Sequence, residues 1–341
     1  MKAMVLNALC NLKENQVPLE LTELPVPVPG EQEILLKISA CGVCHTELDE
    51  VEGRTPPPFL PIVPGHQVVG RVEAVGNKVR AIKTGDRVGV AWIFSACGAC
   101  KFCLAGRENL CPNFAATGRD ANGGYAQYMT VAENFAYAIP DVFSDLQAAP
   151  LLCAGAIGYR SLRLSGLKDG QRLGLTGFGA SAHLVLKMAQ YHYPHSKIYV
   201  FARSAKERTF AEELGAIWTG DTMERAPDKL DSIIDTTPAW EPVVEALANL
   251  ESGGRLVINA IRKEGDNRSL LKLNYPLHLW REKELKSVAN ITRKDVQEFL
   301  TLAAQMNLQP EIQVFALEQA NEALIELSTG EIRGAKVLEI D

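Results

Sequence analysis

Short apolar runs broken by Gly, Pro and Asn dominate the first 150 residues. EILLKISA (33–40), PIVPGHQVVGRVEAVG (61–76), GDRVGVAWI (85–93) and GGYAQYMTV (123–131) each read as strand, with turn signals between them. The opening MKAMVLNALCNLKEN reads as a first strand and its turn: Asn interrupts the apolar stretch and no small-residue cleavage site follows. ELPVPVPGEQE (23–33) is a Pro-rich connector. In EGRTPPPFLP (52–61), Pro fixes φ and removes amide donors, which excludes both helix and central strand.

Beyond about residue 150 the pattern changes. Apolar runs of strand length now alternate with stretches of helical periodicity: RLGLT (172–176) then SAHLVLKMAQYH (181–192), KIYVFA (197–202) then AKERTFAEELG (205–215), DSIIDTT (231–237) then EPVVEALANL (241–250). RLVINA (255–260) and LKSVAN (285–290) add further strands. This alternation predicts parallel βαβ units and an α/β fold with a doubly wound parallel sheet. RKDVQEFLTLAAQ (293–305) is a helix, and residues 317–340 read as helix, turn and final strand.

Length and composition narrow the classes. The chain has 341 residues, enough for two domains, with 47% hydrophobic and 22% charged residues. A net charge of −6 leaves no overall basic field, so neither nucleic acid nor an anionic membrane surface is expected as a partner. No apolar run reaches the length of a membrane span. With no export signal, a cytoplasmic protein is expected. Eight cysteines in such a compartment point to metal or redox chemistry rather than disulfides.

Four of those cysteines crowd into CGACKFCLAGRENLC, where Cys97, Cys100, Cys103 and Cys111 have the spacing C-x2-C-x2-C-x7-C. Four soft thiolates that close suit a closed, tetrahedral, structural zinc site. Gly177, Gly179 and Ala182 form G-x-G-x-x-A directly after a predicted strand and at the start of a helix, where backbone N–H groups cradle a pyrophosphate. Cys41-Gly-Val-Cys44-His45 is more ambiguous. It fits c-type haem attachment, a thioredoxin-like dithiol, or a sulfur that joins distant residues around a metal. A cytoplasmic location argues against the haem. His66 and Cys153 are solitary in the sequence, and spacing alone does not join them to Cys44.

Taken in order, GVCHTE, PGHQVVGRVEAVG, GDRVGV, the four-Cys loop, GGYAQY, LLCAGAIGYRSL, the Gly-rich turn and GEIRGAKVL resemble the zinc-dependent medium-chain alcohol dehydrogenases along nearly the whole chain. The resemblance implies a GroES-like, β-rich catalytic domain (1–150 and 291–341) with a Rossmann nucleotide-binding domain (151–290) inserted in it. It implies that Cys44, His66 and Cys153 hold a catalytic zinc, giving two Zn²⁺ per chain. Cys41 would be a neighbouring buried thiol. Thr46 resembles the hydroxyl that bonds the substrate oxygen and passes its proton on, His45 a group that approaches the cofactor pyrophosphate, and Trp92 an aromatic that narrows the pocket. The substrate would be a small alcohol or aldehyde, and a homodimer or homotetramer is expected.

Three positions depart from the family pattern. Glu47 stands where many relatives have Asp, Gln67 where they usually have Glu, and Asp49 where many place the His that ends the proton relay. The cofactor position also differs. An acid that would hold the ribose hydroxyls of NAD is missing at Ala202, and Arg203 and Ser204 follow at once. A guanidinium and a hydroxyl suit a 2′-phosphate, so NADP(H) is expected, with NAD(H) the alternative. Two other functions compete with an alcohol dehydrogenase: a zinc-dependent polyol or cinnamyl-type dehydrogenase, and a non-catalytic nucleotide- and zinc-binding protein. Metal-free reductases that share the fold lack these ligands.

Overall fold

The computed structural model describes residues 1–265, 267–329 and 334–341. The chain divides into two compact units, Met1–Ala156 with Ile291–Asp341, and Ile157–Asn290.

The first unit is built on a seven-stranded sheet whose central member is the long strand Glu33–Val43. One edge of that strand pairs antiparallel with Val68–Val75. The other edge is shared, with Tyr128–Ala132 along its first half and Ala335–Glu339 along its second. Register shifts near Leu35 and Ile38 let one strand serve all three partners, since each bulge re-aims the side chains that follow. A two-stranded hairpin of Lys2–Leu6 and Leu19–Glu23 lies apart from this sheet. Its second strand is absent from the sequence reading because LELTE carries too short an apolar pattern to stand out. Helix α1 (His45–Val51) follows the central strand after one residue.

The helix Arg293–Gln305 matches its sequence pattern. Thr292 Oγ1 accepts from Asp295 N at 3.2 Å, and Asp295 Oδ2 accepts from Thr292 N at 2.9 Å, a reciprocal cap on two otherwise unpaired donors. Val296, Phe299, Leu300 and Ala303 form its buried stripe. The Phe299 ring lies over Gly155, where an added Cβ would approach a ring carbon to 2.3 Å. The expected turn between the last helix and the final strand falls on residues 330–333, which lie outside the described residues.

The second unit is a six-stranded sheet: β1 (Arg172–Thr176), β2 (Lys197–Phe201), β3 (Trp218–Gly220), β4 (Leu230–Asp235), β5 (Leu250–Ile258) and β6 (Glu284–Ser287). Every pairing is parallel, in the order β3-β2-β1-β4-β5-β6. That is the doubly wound order with its reversal between β1 and β4, where such folds receive ligands at the carboxyl ends of the strands. Buried runs such as Leu173–Thr176 and Ile198–Phe201 read as continuous apolar stretches because helices cover both faces of a parallel sheet. Tyr199, Phe201, Ile233, Val243, Leu247 and Leu256 form its main cluster. Truncating Leu247 to Ala would cost about 2–5 kcal/mol through lost transfer energy and the cavity left behind. Helix α2 (Ala180–His192) follows β1. Strand β5 starts five residues earlier than the apolar run RLVINA, directly at the end of the preceding helix, because Leu250 pairs with Leu230 ahead of a register shift.

Candidate functional site

Antiparallel pairing brings the first two candidate ligands together. Cys41 is opposite Val68, and Gly42 N donates to Gln67 O at 2.9 Å. Cys44, just past the end of one strand, therefore meets His66, just before the start of the next. The Cys44 Sγ to His66 Nε2 distance is 3.6 Å. Gly65 makes the approach possible: its φ is +99°, and an added Cβ would lie 2.4 Å from the Tyr125 ring and 2.9 Å from Cys41 Sγ. Cys153 arrives from a separate element, the 3₁₀ turn Ala149–Leu152, and places Sγ 3.2 Å from the same His66 Nε2.

The three donor atoms all lie within 4.8 Å of one another. A metal about 2.3 Å from sulfur and about 2.0 Å from nitrogen sets tetrahedral edges of about 3.5 Å between sulfur and nitrogen and about 3.8 Å between sulfurs. The charges agree with that spacing. The Cys153 thiol alongside, and burial, push the Cys44 thiol well above its ordinary range. Burial opposes a charged imidazole at His66, yet the negative charge of Glu47, with the Cys44 sulfur alongside, outweighs it and holds that ring well above its usual range. A metal ion bound here would displace those protons, since thiolate and neutral imidazole are the ligating forms. Among the described residues, this set and the four-Cys loop are the groups of three or more such donors that could hold an ion.

Helix α1 organises the surroundings. Cys44 is its N-cap: Sγ accepts from Thr46 N at 3.4 Å, while Cys44 N donates to Glu47 Oε2 at 2.9 Å. The other Glu47 oxygen stands 2.5 Å from His66 Nδ1. The glutamate thus caps the helix with one oxygen and orients the imidazole with the other, and its extra methylene is accommodated. Thr46 is buried, and His45 is exposed. Asp49 is buried, and its Oδ1 accepts from Arg54 Nε at 2.6 Å. Trp92 sets its ring edge-on to His66 at 5.0 Å between centroids. Gln67 is buried with its side chain over Gly42. Cys41 is fully buried, and that burial pushes its thiol well up. Glu50 escaped the sequence reading. It is 1% exposed, one of its carboxyl oxygens has no hydrogen-bond partner, and burial, then Glu47, push its carboxyl well above the usual range. Only the acidic run ELDE hinted at it.

In the four-Cys loop, Cys97 Sγ lies 3.9 Å and Cys100 Sγ 3.6 Å from Cys103 Sγ. These distances are far longer than a disulfide bond, which is about 2.0 Å, and match tetrahedral edges around a zinc. Cys111 Sγ accepts from Cys97 N at 3.5 Å. The N–H groups of Ala99 and Cys100 draw the Cys97 thiol down to about 6, whereas burial and the Cys100 thiol push Cys103 up to about 12.

In the second unit the Gly-rich turn links β1 to α2. Gly177 has φ +78°, and a Cβ there would meet Thr236 Oγ1 at 2.8 Å. At Gly179, the N-cap of α2, a Cβ would meet nothing within 4 Å. Open space at a helix N-terminus, where the first N–H groups have no acceptor within the helix, suits a pyrophosphate. Ala182 is fully buried. At the end of β2, Ala202 is buried and Arg203 and Ser204 are exposed, with Ser204 at the N-cap position of the next helix but its hydroxyl making no capping bond. Arg208 was missed by the sequence reading. Its guanidinium donates to Ala202 O at 2.6 Å and Arg203 O at 3.0 Å, pinning this strand end from one helical turn away.

Residues 30–141 match the family described as the alcohol dehydrogenase GroES-like domain. The chain is 43% identical to the probable alcohol dehydrogenase AdhA of Mycobacterium tuberculosis (strain CDC 1551 / Oshkosh), covering 95% of this chain and 93% of that one. A solved NAD-dependent alcohol dehydrogenase superposes with a TM-score of 0.87 at 25% identity, covering all of both chains. A chain from Sinorhizobium meliloti 1021, solved bound to NADP, superposes at 0.86 with 25% identity, covering 99% of this chain and 98% of that one.

Proposed function

This chain belongs to the zinc-dependent medium-chain alcohol dehydrogenase family and is an oxidoreductase interconverting alcohols with aldehydes or ketones by hydride exchange with NAD(P), and on that premise we propose which residues carry each step. Cys44, His66 and Cys153 hold a catalytic zinc; Cys97, Cys100, Cys103 and Cys111 hold a structural one. The supporting observation is the convergence of two sulfurs on one imidazole nitrogen, at 3.6 and 3.2 Å. When bound, such an ion keeps one position open and lowers the cost of negative charge on the substrate oxygen.

The chain's own groups do the rest. The two thiolates and neutral imidazole balance the ion's charge, and Glu47 fixes the ring. Thr46, two residues after a ligand, hydrogen-bonds the substrate oxygen and passes its proton on. Asp49 ends that relay, its carboxylate kept in place by Arg54. His45 is exposed and meets a cofactor phosphate. Trp92, edge-on to His66, narrows the space for the substrate. Gly177, Gly179 and Ala182 hold the pyrophosphate, and Arg203 with Ser204 take a 2′-phosphate, so NADP(H) is preferred to NAD(H). Residues 1–150 and 291–341 form most of the metal-bearing catalytic domain. Its boundary runs past 150 to take in Cys153, since that ligand lies in the same compact unit, Met1–Ala156 with Ile291–Asp341. Ile157–Asn290 is the nucleotide domain.

The thiol ligands stay reduced in the cytoplasm, which is where we place the protein. No helix among the described residues is long and apolar enough to cross a membrane. A homodimer or homotetramer fits the exposed strand β6 at the edge of its sheet, with Leu285 on it, and the exposed Leu271, Tyr275, Leu277 and Trp280 earlier in the chain, since sheet edges and exposed apolar side chains call for a partner. The decisive experiment is a panel of alcohols and aldehydes run with both nicotinamide cofactors on zinc-loaded protein. Nicotinamide-dependent turnover is expected on several of them; none on any would remove the dehydrogenase reading.

A further inference from the structure

A buried ion pair stands where the doubly wound sheet changes direction. Thr176, Asp235 and Ile258, the last residues of β1, β4 and β5, are level in the sheet register. Asp235 is fully buried, and Lys263, on the segment that follows β5, reaches back to it with Nζ 2.5 Å from Oδ2. The same ammonium donates to Thr237 O at 2.7 Å and Ala239 O at 3.0 Å. Its three protons are thereby matched to three acceptors, the Asp235 carboxylate at the end of β4 and two carbonyls on the segment that follows it. The Trp240 ring centroid lies 5.8 Å from the same nitrogen.

That segment in turn rests on the Gly-rich turn. Thr236 Oγ1 donates to Thr176 O at 3.0 Å, and Thr236 and Thr237 occupy the space that a side chain at position 177 would fill. Glu264 N donates to Pro238 O at 2.7 Å, a second tie between the same two segments. Lys263 therefore joins the loop after β5 to the loop after β4, and the latter is packed on the turn that receives the pyrophosphate. It also neutralises a buried carboxylate that burial already makes costly to ionise, at the end of the strand beside the Gly-rich turn.

We propose that Lys263 is a positioning residue for the dinucleotide, acting through the Thr236–Trp240 segment and through neutralisation of Asp235. The proposal rests on the dehydrogenase reading above. Lys263→Met should weaken NADP(H) and NAD(H) binding, measured by fluorescence titration without alcohol, by about tenfold or more, the scale of a charge-assisted hydrogen bond. The cofactor KM should rise in parallel, while alcohol KM and zinc content stay near wild type. Lys263→Arg should recover part of the affinity.

The double variant Lys263→Met/Asp235→Asn guards against loss of fold, because it leaves no unpaired buried charge. It should regain Tm but only part of the cofactor affinity, since the charge is gone while the carbonyls of Thr237 and Ala239 still lack their anchor. A merely structural ion pair predicts that both return together, and that result overturns the proposal. So does a folded Lys263→Met protein that binds both cofactors like wild type. A wild-type protein that binds neither dinucleotide removes the dehydrogenase reading itself, and this role with it.

Discussion

Glu47 Oε1 stands 2.5 Å from His66 Nδ1, while the opposite nitrogen of the same ring lies 3.2 Å from Cys153 Sγ. The imidazole is thus held from behind and presented forwards. Replacing Glu47 by Gln keeps the length and an acceptor for the helix cap but removes the charge behind the ring. Partners of this kind are worth about 10–100-fold in metal affinity or activity, and a loss of that size is expected in zinc competition assays and in kcat/KM. Unchanged affinity would leave Glu47 as a helix cap alone.

Metal analysis should return two zinc ions per chain, one for each donor set. Cys153→Ala should lose one zinc and the activity with little change in Tm. Cys100→Ala should lose the other and lower Tm, because a closed site contributes folding energy directly. A single zinc in carefully loaded wild-type protein contradicts the assignment of one of the sets.

The loop cysteines should differ in reactivity once zinc is chelated. With its thiol drawn down to about 6, Cys97 is half thiolate near that pH and almost fully thiolate at pH 8. Cys103, pushed up to about 12, stays a thiol throughout. Alkylation followed by peptide mass spectrometry should therefore show Cys97 labelled first, at a rate that rises between about pH 5 and 7 and then levels. Adding zinc should suppress it. If Cys97 gains reactivity only above pH 8, the amide cradle is not acting on it.

Cofactor choice is tested at the end of β2. Arg203→Ala should lower the ratio of kcat/KM for NADP to that for NAD by about tenfold or more, the scale of a lost hydrogen bond between charged groups. A wild type that favours NAD, or a variant whose ratio does not fall, assigns Arg203 to solvent. Arg208→Ala should change both cofactors together, since that side chain holds backbone carbonyls and not a phosphate.

What could be read in the chain itself was whatever short-range chemistry encodes. The alternation of apolar runs and helical stripes predicts β1, α2, β2 and the Arg293–Gln305 helix closely, because backbone periodicity and capping act over a few residues. The Gly-rich turn and the four-Cys loop are legible for the same reason, since each completes its geometry within about a dozen or so residues. Family resemblance supplied the link between Cys44, His66 and Cys153, which no local rule contains.

Tertiary structure decided the rest. His66 and Cys153 are 87 positions apart and meet because an antiparallel register and a 3₁₀ turn deliver them to one point. Glu50, Arg208 and Lys263 look like ordinary surface charges in the sequence. Their burial and partners come from elements that pack late and far along the chain, as when the segment after β5 returns to Asp235. Local preference specifies a strand or a turn, but which two strand ends lie side by side is set by register and packing across the whole sheet.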